Sequence, residues 1–218
     1  MQLRKLGHAC IRLEQDGATL VIDPGSFSAP DALDGAQAVL ITHEHPDHVV
    51  PERLRAAVER RPEVRVWTNQ AVADLLAGAG VRAEVVADGD RFRVADTFDV
   101  LVRGEWHAVI HPDLPRARNV AYLIDGLVYH PGDALTPAGQ PVDTLLLPVS
   151  APWLKLAEAI DFARAARPRL CVPIHDAILS DVGIGLVDRL LGPHGPGIGA
   201  EYRRLGPADA LDLPSGAA

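Results

Sequence analysis

The chain has little cysteine, no net positive charge and no long apolar run, and each shortage excludes a class of function. Its two cysteines, Cys10 and Cys171, stand far apart and outside any CxxC pair. Neither a disulfide framework nor a thiolate zinc site is therefore indicated, and two buried free thiols are expected. Lys and Arg number 21 against 29 Asp and Glu, a formal charge of −8 over 218 residues with a pI near 5.5. General binding to nucleic acid or to an anionic membrane needs a net basic surface, so neither is expected as a partner, although a local basic rim stays open. No apolar stretch approaches the ~18 residues of a membrane span. The start, MQLRKLGHACIRLE, also lacks the apolar core of a secretory signal. The expected location is cytoplasmic.

A long linker and an internal repeat are missing too, so one domain over residues 1–218 is expected. Hydrophobic residues at 48% and charged residues at 23% are the profile of a soluble protein with a sizeable core. Only the terminal PSGAA is expected to lack order. Catalytic signatures of other mechanisms are absent as well: there is no G-x-S-x-G elbow, and neither cysteine sits in a polar motif.

What is present is an alternation of strands and helices. HACIRLEQDGATLVID alternates apolar and polar residues on either side of Asp16-Gly17, a tight-turn dipeptide, and predicts a hairpin. QAVLIT and VRVWT are short apolar strands, and VRAEVV is a third. Between them PERLRAAVERR (51–61) and NQAVADLLAGAG have helical spacing, the first with Pro at its first turn, the second closing on Gly78 or Gly80. Further on, DRFRVADTFDVLVRGE, NVAYLIDG and LVYH predict strands or hairpins, with Asp125-Gly126 as a turn. DTLLLPVS and RLCVPIH are strands flanking the helix-like LKLAEAIDFARAARP. The pattern is α/β. The C-terminal tail, rich in Gly and Pro, predicts nothing definite.

The stretch THEHPDHV (42–49) follows the apolar Ala38–Ile41. His43 and His45, one residue apart, project to the same side of an extended segment and can chelate one ion. Pro46 disfavours a helix there. The HExxH of zinc proteases is absent, because the fourth position after His43 is Asp47. The bland alternative is a solvated polar loop. Four ligating side chains, His43, His45, Asp47 and His48, directly after a buried strand favour a metal. His107 in GEWHAVIH, Asp133 in YHPGDAL and His175 in VPIHD each follow an apolar stretch, so each can be delivered to the same rim. Seven N and O ligands suit two divalent ions, since one tetrahedral zinc takes at most four and a carboxylate can bridge a pair.

In order along the chain, HEHPDH, His107, Gly132-Asp133 and His175 resemble the metallo-β-lactamase superfamily signature, and IDPG (22–25) resembles its early Asp motif. The resemblance covers most of the chain. It implies a four-layer αβ/βα sandwich (α/β, or α+β by some schemes) with the site at the edge between two sheets. It also implies His43, His45 and His107 on one metal, Asp47, His48 and His175 on the second, Asp133 bridging, and Asp23 behind them. Zinc is the first expectation for both ions, with manganese or iron(II) as alternatives.

Other residues are open. His8 in LGHA resembles the Gly-His element of the ascorbate-6-phosphate-lactonase-like branch and lies either near the site or in the core. His111, four residues past His107, is either on the substrate side or itself the ligand. His130 is expected to pack at a strand end, His194 to lie on the surface, and Asp176 either to orient a ligand imidazole or to cap a helix. A metal pair generates hydroxide near neutral pH, so hydrolysis of a small ester, lactone or phosphorylated metabolite is expected, with Asp47 moving the proton. A phosphodiesterase or nuclease is a second reading, opposed by the acidic charge. The third is a non-catalytic metal-binding module. Homo-oligomer formation stays open.

Overall fold

The computed structural model describes residues 1–207 and 209–214. All but Pro214 of the PSGAA expectation lies outside the described residues. Two seven-stranded sheets face each other. The first runs in the order β14-β1-β2-β3-β4-β5-β6 and the second β13-β12-β11-β10-β9-β8-β7. The N-terminal sheet comprises β1 (Gln2–Lys5), β2 (Ile11–Gln15), β3 (Ala18–Ile22), β4 (Ala38–Leu40), β5 (Arg65–Thr68), β6 (Glu84–Val85) and β14 (Leu211–Asp212). The C-terminal sheet comprises β7 (Arg91–Val94), β8 (Phe98–Arg103), β9 (Ala121–Ile124), β10 (Val128–His130), β11 (Thr144–Pro148), β12 (Leu170–Ile174) and β13 (Glu201–Tyr202). Helices α1 (Pro51–Arg60) and α2 (Gln70–Gly78) cover the first sheet, α3 (Leu156–Ala166) and α4 (Asp181–Leu191) the second.

Three apolar clusters follow from the two-residue period of the strands. Leu20, Ile22 and Leu40 point inward to meet Tyr122, Leu146 and Val172 of the other sheet. Their neighbours Val21 and Val39 point outward onto Leu54 of α1 and Val72 and Leu76 of α2. Leu145 and Leu147 do the same toward Phe162 of α3 and Val187 of α4. Strands buried on both faces read as continuous apolar runs, which is why β4, β11 and β12 carry no alternation. The expected four layers are observed.

The Asp16-Gly17 and Asp125-Gly126 turns adopt positive φ at both residues, as the tight hairpins require. VRAEVV supplies only a two-residue strand at Glu84–Val85. Helix α4 and strand β1 carried no definite sequence signal. Two glycines interrupt α4, and Ser180 caps it by accepting from the Gly183 amide. Among the described residues no helix is long and apolar enough to cross a membrane.

Parallel pairing decides where the chemistry falls. β3, β4 and β5 run parallel to one another, as do β10, β11 and β12, so their C-terminal ends share one edge of each sheet. Tyr122 ties the two sheets together beside that edge, its hydroxyl donating to the Ile41 carbonyl at 2.9 Å.

Candidate metal centre

Each strand end at this edge delivers one part of a buried histidine and aspartate cluster. Asp23 follows β3, the segment from Thr42 to His48 follows β4, Asp133 follows β10 and His175 follows β12, while His8 ends the β1 connection and His107 lies after β8. Among the described residues, eight non-glycine residues have positive φ. Six lie at turns or a helix end, His8 among them in the turn closed by the Cys10 amide on the Gly7 carbonyl, and the other two are Asp23 and His175. The backbone strain that is not explained by turns therefore gathers at this site. Two glycines permit its close packing. A Cβ on Gly25 would lie 1.9 Å from the Asp47 carbonyl oxygen, and one on Gly132 2.3 Å from the Asn119 side chain.

The imidazoles are held from behind. Asp23 is fully buried and accepts from the Thr42 amide at 2.8 Å, the Thr42 hydroxyl at 2.7 Å and His48 Nδ1 at 2.7 Å. Because the Thr42 hydroxyl has one proton and gives it to Asp23, its oxygen accepts from His43 Nδ1 at 3.0 Å. His107 Nδ1 donates to the Ala108 carbonyl at 2.6 Å and His175 Nδ1 to the Ser150 carbonyl at 2.5 Å. With Nδ1 of His43, His48, His107 and His175 each acting as donor, their Nε2 atoms face the centre, where each can offer a lone pair to a cation once any proton on it has left.

Those lone pairs converge. Nε2 of His48, His107 and His175 and Oδ1 of Asp133 are buried without a hydrogen-bond partner among the described residues. Asp133 Oδ2 lies 3.0 Å from His175 Nε2, 3.4 Å from His107 Nε2 and 4.0 Å from His43 Nε2, and Oδ1 lies 3.2 Å from His48 Nε2. His45 Nδ1 is 3.0 Å from His43 Nε2. Two sets of atoms each fit within 4.8 Å: His43, His45, His107 and Asp133, and His8, Asp47, His48 and His175. Inward-facing nitrogen lone pairs repel unless a cation sits between them, so the donor set fits divalent metal ions.

Electrostatics divides the two sets. Burial pushes His43 well below the ordinary histidine value and His45 in the same direction, with neighbouring imidazoles adding to it. Burial opposes protonation of His48 too, but the carboxylates of Asp133 and Asp23 outweigh it and hold it well above that value. His175 is raised to about 9 because the carboxylates of Asp133 and Asp47 beside its Nε2 outweigh its burial. Asp47 and Asp133 stay far below the usual carboxylate range despite burial, through their histidine partners.

All seven side chains of the sequence signature meet here. His8 joins them as a hydrogen-bond donor. Its Nδ1 accepts from the Ala177 amide at 3.1 Å, so Nε2 carries the proton and donates to Asp47 Oδ2 at 3.1 Å. His107 is 1% exposed and faces Asp133, whereas His111 is exposed and pairs with Asp113 at 3.6 Å. His130 packs in the core, donating to the Ala9 carbonyl at 2.9 Å, and His194 is exposed. Neither role expected of Asp176 is observed. Its carboxylate binds Lys5 at 2.6 Å and Arg204, and Ser180 caps the following helix. Three further residues escaped the motifs. Thr42 links Asp23 to His43, Asn119 accepts from the Asp133 amide at 3.0 Å, and Trp153 donates from Nε1 to Asp133 Oδ2 at 3.0 Å. Thr42 was legible as the flank of the histidine cluster; Trp153 sits in PVSAPW with no ligating neighbour.

Two mixed sheets with paired outer helices and a histidine and aspartate centre at their common edge define a metallohydrolase-type αβ/βα sandwich. The chain matches the β-lactamase superfamily domain over residues 2–175 and belongs to that superfamily. It is 38% identical over 192 residues to protein Rv0786c of Mycobacterium tuberculosis, a match covering 85% of this chain and 89% of that one. Identity to the UPF0173 metal-dependent hydrolase MJ1163 of Methanocaldococcus jannaschii is 24% over 183 residues, covering 78% and 81%. Among solved structures, Igni18, a metallo hydrolase of Ignicoccus hospitalis, superposes with a TM-score of 0.73 at 21% identity, covering 98% and 99%. CmlA, a diiron β-hydroxylase of Streptomyces venezuelae, reaches 0.71 at 18% identity, covering 97% of this chain and 54% of that one. One fold therefore carries both hydrolytic and oxidative chemistry, and the choice rests on the site.

Proposed function

We propose that this chain is a metal-dependent hydrolase that cleaves a small ester or lactone at a two-cation centre. The observation that carries the proposal is the set of buried, unpartnered Nε2 atoms aimed at one carboxylate, each imidazole fixed from behind through Nδ1. His43, His45 and His107 would hold one cation, Asp47, His48 and His175 the other, and Asp133 would be shared; zinc is the cation proposed. When bound, such a pair supplies hydroxide near neutral pH and a Lewis acid for the substrate oxygen. Asp47 is the ligating carboxylate that solvent reaches, with its side chain 24% exposed against 4% for Asp133. It accepts the proton of the attacking water and returns it to the leaving group, while His8 holds its orientation.

The rim supports an apolar substrate over a phosphorylated one. Phe27, whose ring lies 5.3 Å from that of His8, is exposed, as are Val109 and Ile110 beside His107 and Ile178 beside His175. Arg116 lines the same mouth but gives its Nε–H to the His107 carbonyl. The test is metal analysis of natively purified protein, with lactones, aryl esters and bis(p-nitrophenyl) phosphate as substrates. Two ions per chain and faster turnover of lactone or aryl ester are expected, with His45→Ala and Asp133→Ala each losing about 10²-fold or more. Full activity in both variants would sink the mechanism. Faster phosphodiester cleavage would select the phosphodiesterase, and less than one ion per chain the non-catalytic module.

A further inference from the structure

Trp153 touches the centre from a segment that no motif marks. It lies between β11 and α3, and its indole Nε1–H donates to Asp133 Oδ2 at 3.0 Å. Its ring meets the edges of His107 at 5.9 Å and of His175 at 6.5 Å between centroids, one imidazole from each half of the centre. The oxygen that it binds is also the one nearest both halves, 3.4 Å from His107 Nε2 and 3.0 Å from His175 Nε2.

The main chain of Asp133 is anchored separately. Its amide donates to Asn119 Oδ1 at 3.0 Å and its carbonyl accepts from the Ala108 amide at 2.8 Å. These bonds fix the backbone and leave the carboxylate free to turn, because the last torsion of an aspartate is broad and roughly two-fold. The imidazoles do not settle that torsion once cations bind, since each must then present a lone pair and not a proton. Among the described residues, Trp153 supplies the one side-chain proton directed at this carboxylate that does not come from an imidazole. An indole N–H only donates, so it cannot ligate a cation and need not give up this bond to one.

We propose that Trp153 is the positioning residue of the shared carboxylate, holding Asp133 Oδ2 between the two halves so that both cations bind. This rests on the two-cation reading above. Trp153→Phe keeps the ring and removes the donor. In zinc titrations against a chromophoric chelator, wild type should take up two ions, and Trp153→Phe should bind the weaker of the two 10- to 100-fold less tightly, as loss of a ligand's hydrogen-bond partner does elsewhere. Merely structural packing would leave that split unchanged. The chain's three tryptophans give three indole N–H signals in ¹⁵N-tryptophan-labelled wild type, assigned by elimination with Trp67→Phe and Trp106→Phe. The Trp153 signal should shift furthest on adding zinc, a readout that stands even if Trp153→Phe does not fold. Two ions bound to Trp153→Phe at wild-type affinity, or a Trp153 signal unmoved by zinc, would overturn the inference alone. Wild type that binds a single ion would overturn the two-cation reading and the inference with it.

Discussion

The two halves of the centre use the same ligand types against different backgrounds. His43 is backed by a hydroxyl and His107 by a carbonyl, and burial leaves His43 and His45 reluctant to protonate. His48 and His175 lie among Asp23, Asp47 and Asp133, which draw protons onto them. A neutral backing yields a ligand already in its binding form. Carboxylates gathered around a ligand favour the eventual cation but make it compete with protons, because metal can take the nitrogen only after the proton leaves. The difference teaches that one half is built for ready uptake and the other for charge compensation.

The largest effect on this contrast is expected from Asp23→Ala. It strands the Thr42 amide and His48 Nδ1 without their buried acceptor, at about 1–3 kcal/mol for each unsatisfied group. Metal content at neutral pH should fall from two ions toward one, with the His43 half retained. Equal loss from both halves would break the contrast. Dialysis at graded pH is the next test: as pH falls from 7 toward 5, the His48 and His175 half should release its ion first. Simultaneous release would contradict the division. His8→Ala removes a donor to Asp47, and its effect should be about tenfold on the affinity of that half alone.

The smallest effect is on stability. His175 stands at about 9 in the folded, metal-free protein against an ordinary 6.5. Its protonated form therefore stabilises the fold fully below pH 6.5, and that contribution is lost as pH rises through about 9. Thermal melts of chelator-treated protein should show Tm falling over this window, and zinc should abolish the fall by keeping the imidazole neutral. A flat Tm in the chelated protein would show that His175 carries no extra proton.

Much of this is legible in the sequence. The hairpin turns at Asp16-Gly17 and Asp125-Gly126 were readable because backbone handedness is a local property of those residue pairs. The strands β4, β11 and β12 were readable because burial on both faces leaves an unbroken apolar run. Helix α4 was not, since Gly183 and Gly185 weaken its propensity and it is held by tertiary contacts, with Val187 and Leu191 packed on the second sheet and Asp188 bonded to Tyr202 and Arg204. Asp176 misled in the same way: a residue beside a ligand invites a role at the ligand, but Lys5 and Arg204 reach it from opposite ends of the chain.

By itself the sequence determined the ligand types, their order and the local extended spacing that puts His43 and His45 on one side, because these depend on residues within a few bonds of one another. Only the tertiary structure decided that His107 and not His111 faces Asp133, that His8 donates to Asp47 and does not present a lone pair, and that Trp153 reaches the shared carboxylate. Those outcomes turn on which groups a fold of parallel strand ends brings within hydrogen-bond distance. Spacing along the chain carries no such information.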